Sequence, residues 1–175
     1  MDLEDVLYLR RTTRKYQPQQ IQEDALQRLL EAAQTAPLAM GDDQSTHLTV
    51  VQDPGLLQQI RDAVQTVSRK TGLPLDPLHG APTLILVSAT DLSEDHIELC
   101  NAACVIENMS LQATALNLGS SYIWGCLRIL RQHKELLAML QIPEGYEILS
   151  GFVVGYPVNP LQRREKQGKM SVNRV

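Results

Sequence analysis

Thr83-Leu84-Ile85-Leu86-Val87, followed after a short polar break by the run from Ser93 to Leu118, decides the fold of this chain. The first stretch is almost wholly apolar over a strand's length, the pattern of a strand covered on both faces and placed centrally in a sheet. The second carries Leu99, Ala102, Ala103, Ile106, Met109, Leu111, Ala113 and Leu116. Apolar residues on almost every side predict the longest helix of the chain, buried rather than surface-lying. Gly119 ends it as a cap glycine.

Working outward towards the N-terminus, a Pro-rich loop spans Leu73 to Pro82. Before it, Asp53-Pro54 opens a helix with Leu56, Leu57, Ile60, Ala63, Val64 and Val67 on one face, expected to fade at Gly72. His47 to Val51 reads as an extended run after a loop from Leu38 to Thr46. Gln22 to Thr35 places Ala25, Leu26, Leu29, Leu30 and Ala33 on one helical stripe and is stopped by Pro37. A first helix is capped by Asp2, carries Leu3, Val6, Leu7 and Leu9, and runs into Arg10. Towards the C-terminus, Ser121 to Trp124 and Ile148 to Tyr156 read as strands with short helical segments between them. Helices alternating with strands, with no internal repeat and no linker, predict one three-layer domain over residues 1–175, α+β or α/β with a mixed sheet.

Composition bounds the function. A chain of 175 residues buries roughly two thirds of its unfolded surface. Aromatics are only 4%, so the core rests on Leu, Ile, Val and Ala. The formal charge of -4 provides no long-range attraction for nucleic acid or an anionic membrane, so phosphate recognition requires a local basic cluster. Two such clusters exist, Arg10 to Lys15 and Arg163 to Lys169. No apolar run approaches the roughly 20 residues of a membrane span, and Met1 to Asp5 has no leader character, so a soluble cytoplasmic protein is expected. Cys100, Cys104 and Cys126 have no disulfide-framework spacing and are expected to be reduced, buried thiols.

Arg10-Arg11-Thr12-Thr13-Arg14 combines forked guanidinium donors with hydroxyls where a helix gives way to a loop, a donor set that suits a phosphate. Alone, it is equally a solvated basic helix end facing the negative pole of the helix dipole. The order of further stretches extends the reading. Arg10 to Tyr16 is followed by Glu31-Ala32-Ala33-Gln34-Thr35-Ala36-Pro37, by Gly80-Ala81-Pro82-Thr83 at the entry to the apolar strand, and by Asn101 to Met109 and Leu111 to Ser120 on the long helix. Gly155-Tyr156-Pro157 and a basic tail complete it. In this order the chain resembles the FMN-dependent nitroreductase family over nearly its whole length.

The resemblance implies an α+β, three-layer α/β/α fold whose mainly antiparallel mixed sheet is flanked by helices, with a long buried central helix. It implies FMN as cofactor, its phosphate and ribityl groups held by Arg10, Arg11, Thr12, Thr13 and Arg14, with Arg163 or Arg164 of the tail joining. Pro37, Leu38 and Ala39 are expected to reach the flavin from the other subunit of a homodimer, with FMN at the interface. Here the chain departs from the family, reading Gly41-Asp42-Asp43-Gln44-Ser45-Thr46-His47 where an Asn and a Trp are common; Gln44 is left as a donor to the ring. Ile123-Trp124-Gly125 falls where relatives place backbone near the flavin, Gly125 permitting close approach. Trp124 has two readings, flavin contact or core anchor. The implied activity is hydride transfer from NAD(P)H through FMN to a nitroaromatic, quinone or similar conjugated acceptor in ping-pong order, with no catalytic side chain because the flavin carries the chemistry.

The altered loop and short chain also motivate a flavin-binding carrier or sensor without nicotinamide-dependent turnover. A third reading assigns the arginines to another phosphorylated ligand. His96, Cys100 and Cys104 share a four-residue spacing, but a structural zinc site wants a fourth ligand, so no metal is assigned. No Gly-x-Ser-x-Gly elbow supports a hydrolase.

Overall fold

The computed structural model describes residues 1–68, 71–165 and 170–175; Lys166 and Lys169 of the second basic cluster lie outside the described residues. Its centre is a four-stranded sheet in the order β1-β4-β6-β5, formed by β1 (Thr46–Val51), β4 (Thr83–Ala89), β5 (Gly119–Ile123) and β6 (Glu147–Gly155), every neighbouring pair antiparallel. Every residue of β4 is buried, as its apolar run requires. Its side chains alternate between two cores: Ile85, Val87 and Ala89 face one, Leu84 and Leu86 the other. The pairing of β4 with β6 shifts by a bulge between Val87 and Ser88.

The first core is closed by α2 (Glu23–Gln34) and α4 (Ile97–Ala115), through Leu26, Leu29, Ala33, Val105, Ile106 and Met109. The second is closed by α3 (Pro54–Val64), α5 (Leu127–Leu130) and α6 (Lys134–Met139), through Leu57, Ile60, Leu127, Leu130 and Leu136. Helices thus cover both sheet faces, the three-layer α+β arrangement expected from the sequence. Asp53 caps α3 by accepting the Leu56 N–H at 2.7 Å, with Pro54 in the first turn. Asp2 caps α1 (Leu3–Leu9) in the same way through the Asp5 N–H at 2.8 Å.

Several boundaries differ from expectation for local reasons. α3 stops at Val64, and Thr66 and Val67, expected to continue it, form β2 (Thr66–Val67), which pairs antiparallel with β3 (Pro74–Leu75). α4 starts at Ile97 because Ser93 to His96 forms a turn in which the Ser93 hydroxyl accepts the Ile97 N–H and His96 is left-handed (φ 58°). His96 therefore stands outside the helical column of Cys100 and Cys104. The long helix buries one side only: Leu99 is 40% exposed, and Cys100, Ala103 and Glu107 are exposed with it. The expectation of three buried thiols is corrected accordingly. Cys100 is exposed, Cys104 is intermediate, and only Cys126 is buried, where burial pushes its thiol up to about 11.

β6 ends at Gly155 against the Pro82 ring, where a Cβ on that glycine would lie 2.6 Å from Pro82 Cδ and 3.2 Å from the Tyr16 ring. The proline ring cannot rotate away. Gly155→Ala is expected to destabilise the fold by about 1–3 kcal/mol, read as a lower urea midpoint at unchanged slope.

Candidate functional site

The basic segment after α1 is fastened to the sheet by its backbone. The Thr13 N–H donates to the Ser120 carbonyl (2.8 Å), the Gln17 N–H to the Tyr156 carbonyl (2.8 Å), and the Val158 N–H to the Lys15 carbonyl (3.1 Å). Thr12 bridges Ser120 in parallel and Tyr16 bridges Pro157 in antiparallel fashion. Gly119 makes the approach possible, since a Cβ there would lie 2.7 Å from the Thr13 side chain. Inside the segment the Tyr16 hydroxyl donates to the Thr13 carbonyl at 2.9 Å. Burial raises the Tyr16 phenol far above its ordinary range, with the nearby Arg14 charge opposing, so it remains a donor at any working pH.

Against this segment the chain leaving β6 forms a second wall. The cleft between them has a volume of about 390 Å³. Arg11, Thr12, Thr13, Arg14 and Lys15 line one side, and Pro157, Asn159, Pro160, Leu161 and Gln162 the other. Three cations and two hydroxyls facing one cleft form a donor set for a polyoxyanion. His79, on the loop before β4, has its pKa lowered by burial and by the charge of Arg14, against an opposing pull from Asp76.

Not every arginine read from the sequence reaches this cleft. Arg10 turns to α4 and pairs with Glu107 (Nε to Oε1, 3.4 Å). Arg163 lies along α1, bonded to Asp5, 3.3 Å from Glu4 and 4.7 Å over the Tyr8 ring. Arg164 donates its backbone N–H to Tyr8 (3.0 Å) and its side chain to the Leu7 carbonyl (3.3 Å). Arg10, Arg163 and Arg164 thus brace the walls. Lys15, Asn159 and Gln162 complete the lining; the sequence marked Lys15 only as one more basic residue, and nothing local marked the other two.

The expected second contact region lies elsewhere in the single chain. Leu38 and Gln44 line a separate hollow of about 490 Å³ with Gln34, His47 and Val105. The Ala39 N–H is held by Asn101 Oδ1 of α4 at 2.9 Å, and Pro37 is exposed just ahead of it. The Gln44 side-chain amide donates to Asp43 (3.0 Å), and the Gln44 backbone carbonyl accepts from the Tyr146 hydroxyl (2.7 Å). Ile123 is buried as the last residue of β5, while Trp124 and Gly125 follow it onto the surface. Trp124 is 61% exposed, so it is not a core anchor of this chain. Among the described residues, no group of three His, Cys, Asp or Glu side chains is arranged to hold a metal ion.

Comparison with known proteins gives a consistent picture. The model of the nitroreductase family matches residues 7–156. A protein of Archaeoglobus fulgidus named "Putative NADH dehydrogenase/NAD(P)H nitroreductase" is 28% identical over 174 residues, covering 97% of this chain and 94% of its own. The crystal structure of a nitroreductase with bound FMN from Bacteroides fragilis superposes with a TM-score of 0.81 at 26% identity, covering 100% of this chain and 99% of that one. An FMN-dependent nitroreductase from Clostridium difficile gives 0.75 at 25% identity, with 98% and 99% covered.

The depressed His79 sets a pH dependence of stability. In the unfolded chain a histidine protonates near 6.5, whereas folded His79 resists protonation, so the unfolded state binds more protons as the pH falls. Its contribution is present above about 6.5 and is lost below it. His79→Asn, which suits the left-handed φ of 56°, is expected to flatten that part of the stability profile in urea unfolding between about pH 7 and pH 5.

Proposed function

The chain belongs to the nitroreductase family, and on that premise we propose that it is an FMN-dependent oxidoreductase carrying reducing equivalents from NAD(P)H to a nitroaromatic, quinone or similar conjugated acceptor. The observation that supports the cofactor most directly is the cleft: Arg11, Arg14 and Lys15 supply the charge, and Thr12 and Thr13 the hydroxyls, for a phosphate monoester. FMN, when bound, supplies the two-electron exchange, so the chain needs no acid–base pair of its own. The residues' part is to hold and orient. The phosphate anchors at residues 11–15, while the backbone of Ile123, Trp124 and Gly125 lies farther along the strand that starts under Thr13.

The proposal includes a homodimer with the cofactor at its interface. The phosphate cleft and the hollow beside Leu38 and Gln44 are separate in one chain, so a second copy is what would bring Pro37, Leu38, Ala39 and Gln44 to the flavin. The side of α4 left exposed in the single chain, with Cys100 and Ala103 beside the Arg10–Glu107 pair, is the surface that such pairing would cover. We take residues 1–175 as one FMN-binding domain of a cytoplasmic protein. No helix among the described residues is long and apolar enough to cross a membrane.

The purified protein is expected to be yellow or to become so with FMN, and to bleach anaerobically with NADH or NADPH; whichever nicotinamide works fixes the preference. Parallel lines in double-reciprocal plots would support ping-pong order. Arg11→Ala or Arg14→Ala is expected to weaken FMN about 10- to 100-fold while changing riboflavin affinity little, because riboflavin lacks the phosphate. Unchanged FMN affinity would overturn the clamp. A specific observation favours one second reading, since the Gln44 amide is engaged by Asp43: FMN that binds tightly but is reduced by neither nicotinamide would identify a carrier.

Sedimentation of the FMN-saturated protein is expected to show a dimer of the 19.5 kDa chain. A monomer with full FMN affinity would contradict the interface.

A further inference from the structure

Beyond the clamp, β5 carries a second feature. Side chains alternate along a strand, so Ser120, which pairs with Thr12 and Thr13, shares its face with Tyr122 and with Trp124 just past the strand end. Tyr122 is 45% and Trp124 61% exposed. Four residues at a rise of about 3.3 Å place Trp124 roughly 13 Å from the clamp. Beside Trp124 lies a hollow of about 160 Å³, bounded by the start of α4, the residue after α5 and the start of β6.

We propose that this hollow selects the electron acceptor, taking uncharged, single-ring conjugated compounds and disfavouring anionic or fused-ring ones, with Trp124 as its aromatic wall and Glu147 as the residue that sets its charge preference. The inference rests on the nitroreductase reading and names the substrate class for it.

Size carries the first half. A cavity of about 150 Å³ accommodates one benzene ring, so this hollow takes about one ring, and a second fused ring would stand outside it in water. Leu92, Leu99 and Leu149 give it an apolar side, and Trp124 adds an aromatic group to the lining. Charge carries the second half. Glu98 and Glu147 face the hollow against Arg131 alone, with His96 at the rim. Arg131 is tied to backbone, its Nε donating to the Ile148 carbonyl (2.7 Å) and its Nη2 to the Leu149 carbonyl (3.2 Å). Glu98 accepts from its own backbone and from the Ser93 N–H (3.1 Å) and hydroxyl (3.0 Å), which holds its carboxyl below the usual range and keeps it ionised. Glu147 is exposed and has no ion pair among the described residues, so its charge stays unneutralised at the opening.

Trp124 is the only tryptophan of the chain, so its emission reports on the hollow independently of turnover. The test titrates the protein, as purified and FMN-saturated, with 4-nitrobenzyl alcohol, 4-nitrobenzoate and 1-nitronaphthalene. Quenching of Trp124 is corrected for inner-filter absorption, and kcat/KM is measured for the same compounds. The neutral single ring is expected to be favoured in both readouts. Glu147→Gln is expected to lower the neutral-to-anionic selectivity about two- to fivefold, the range for an exposed charge, and Glu147→Lys to invert it. Circular dichroism checks that both variants fold. Equal quenching by all three compounds, or a selectivity that neither variant moves, overturns the inference even if the protein is yellow and active. Selective quenching in a protein that never binds FMN leaves the hollow standing and removes the flavin reading instead.

Discussion

Three backbone hydrogen bonds, from Thr13 to Ser120, from Gln17 to Tyr156 and from Val158 to Lys15, fix the basic segment to the ends of two strands, and the site depends on them. Guanidinium and ammonium groups on a free loop would repel one another and disperse into solvent. Held on a backbone docked to β5 and β6, they converge on one cleft. That docking in turn depends on the sheet, because the start of β5 and the end of β6 lie side by side only through the pairing of Gly119 with Gly155. Both positions are glycine, and at both a Cβ would collide with the docked segment or its neighbours. The cationic cleft is thus a consequence of strand register as much as of arginine content.

Much of this was legible in the sequence because it follows from periodicity. The apolar run at Thr83 to Val87 could only be an interior strand, and the stripe from Ala25 to Ala33 could only be a helix packed on one side. Gly119 was read as a helix cap and Gly155-Tyr156-Pro157 as part of a family pattern; their direct role, admitting Thr13 and Tyr16 to close range, depends on contacts across more than 100 residues that no local pattern records. The same limit explains the arginines. Arg10, Arg11 and Arg14 are equivalent by composition, yet Glu107 on α4 draws Arg10 away, and the α1 carboxylates draw Arg163. Thiol burial is not legible for a different reason: composition alone suggests a helix surrounded on all sides, whereas α4 packs on the sheet and α2 and leaves Cys100 outward.

The two cavities beside α4 and β5 illustrate how one scaffold separates binding tasks. Charge is concentrated at residues 11–15, docked against the start of β5, while Tyr122 stands farther along that strand and Trp124 just past its end. Under the proposed assignment, anchoring and selection use different side chains, so substitution at Trp124 or Glu147 would leave the lining of the cationic cleft in place. The loop at Asp42 to His47 is held by its own contacts, Asp42 accepting the N–H groups of Gln44 and Ser45 and Tyr146 packing edge-on against His47.

The tail arginines carry one more consequence. The contact of Arg163 with Asp5 closes a loop spanning 158 residues, and the second wall of the cleft, Pro157 to Gln162, lies immediately before it. Contacts between segments so far apart in sequence are among the slowest to form, because the closure of the long loop between them is opposed by chain entropy. A chain in which residues 157–162 have not docked lacks one wall of the cationic cleft. An anion offered to the cleft therefore reports on whether residues 157–162 have docked, since one wall alone presents half of the lining.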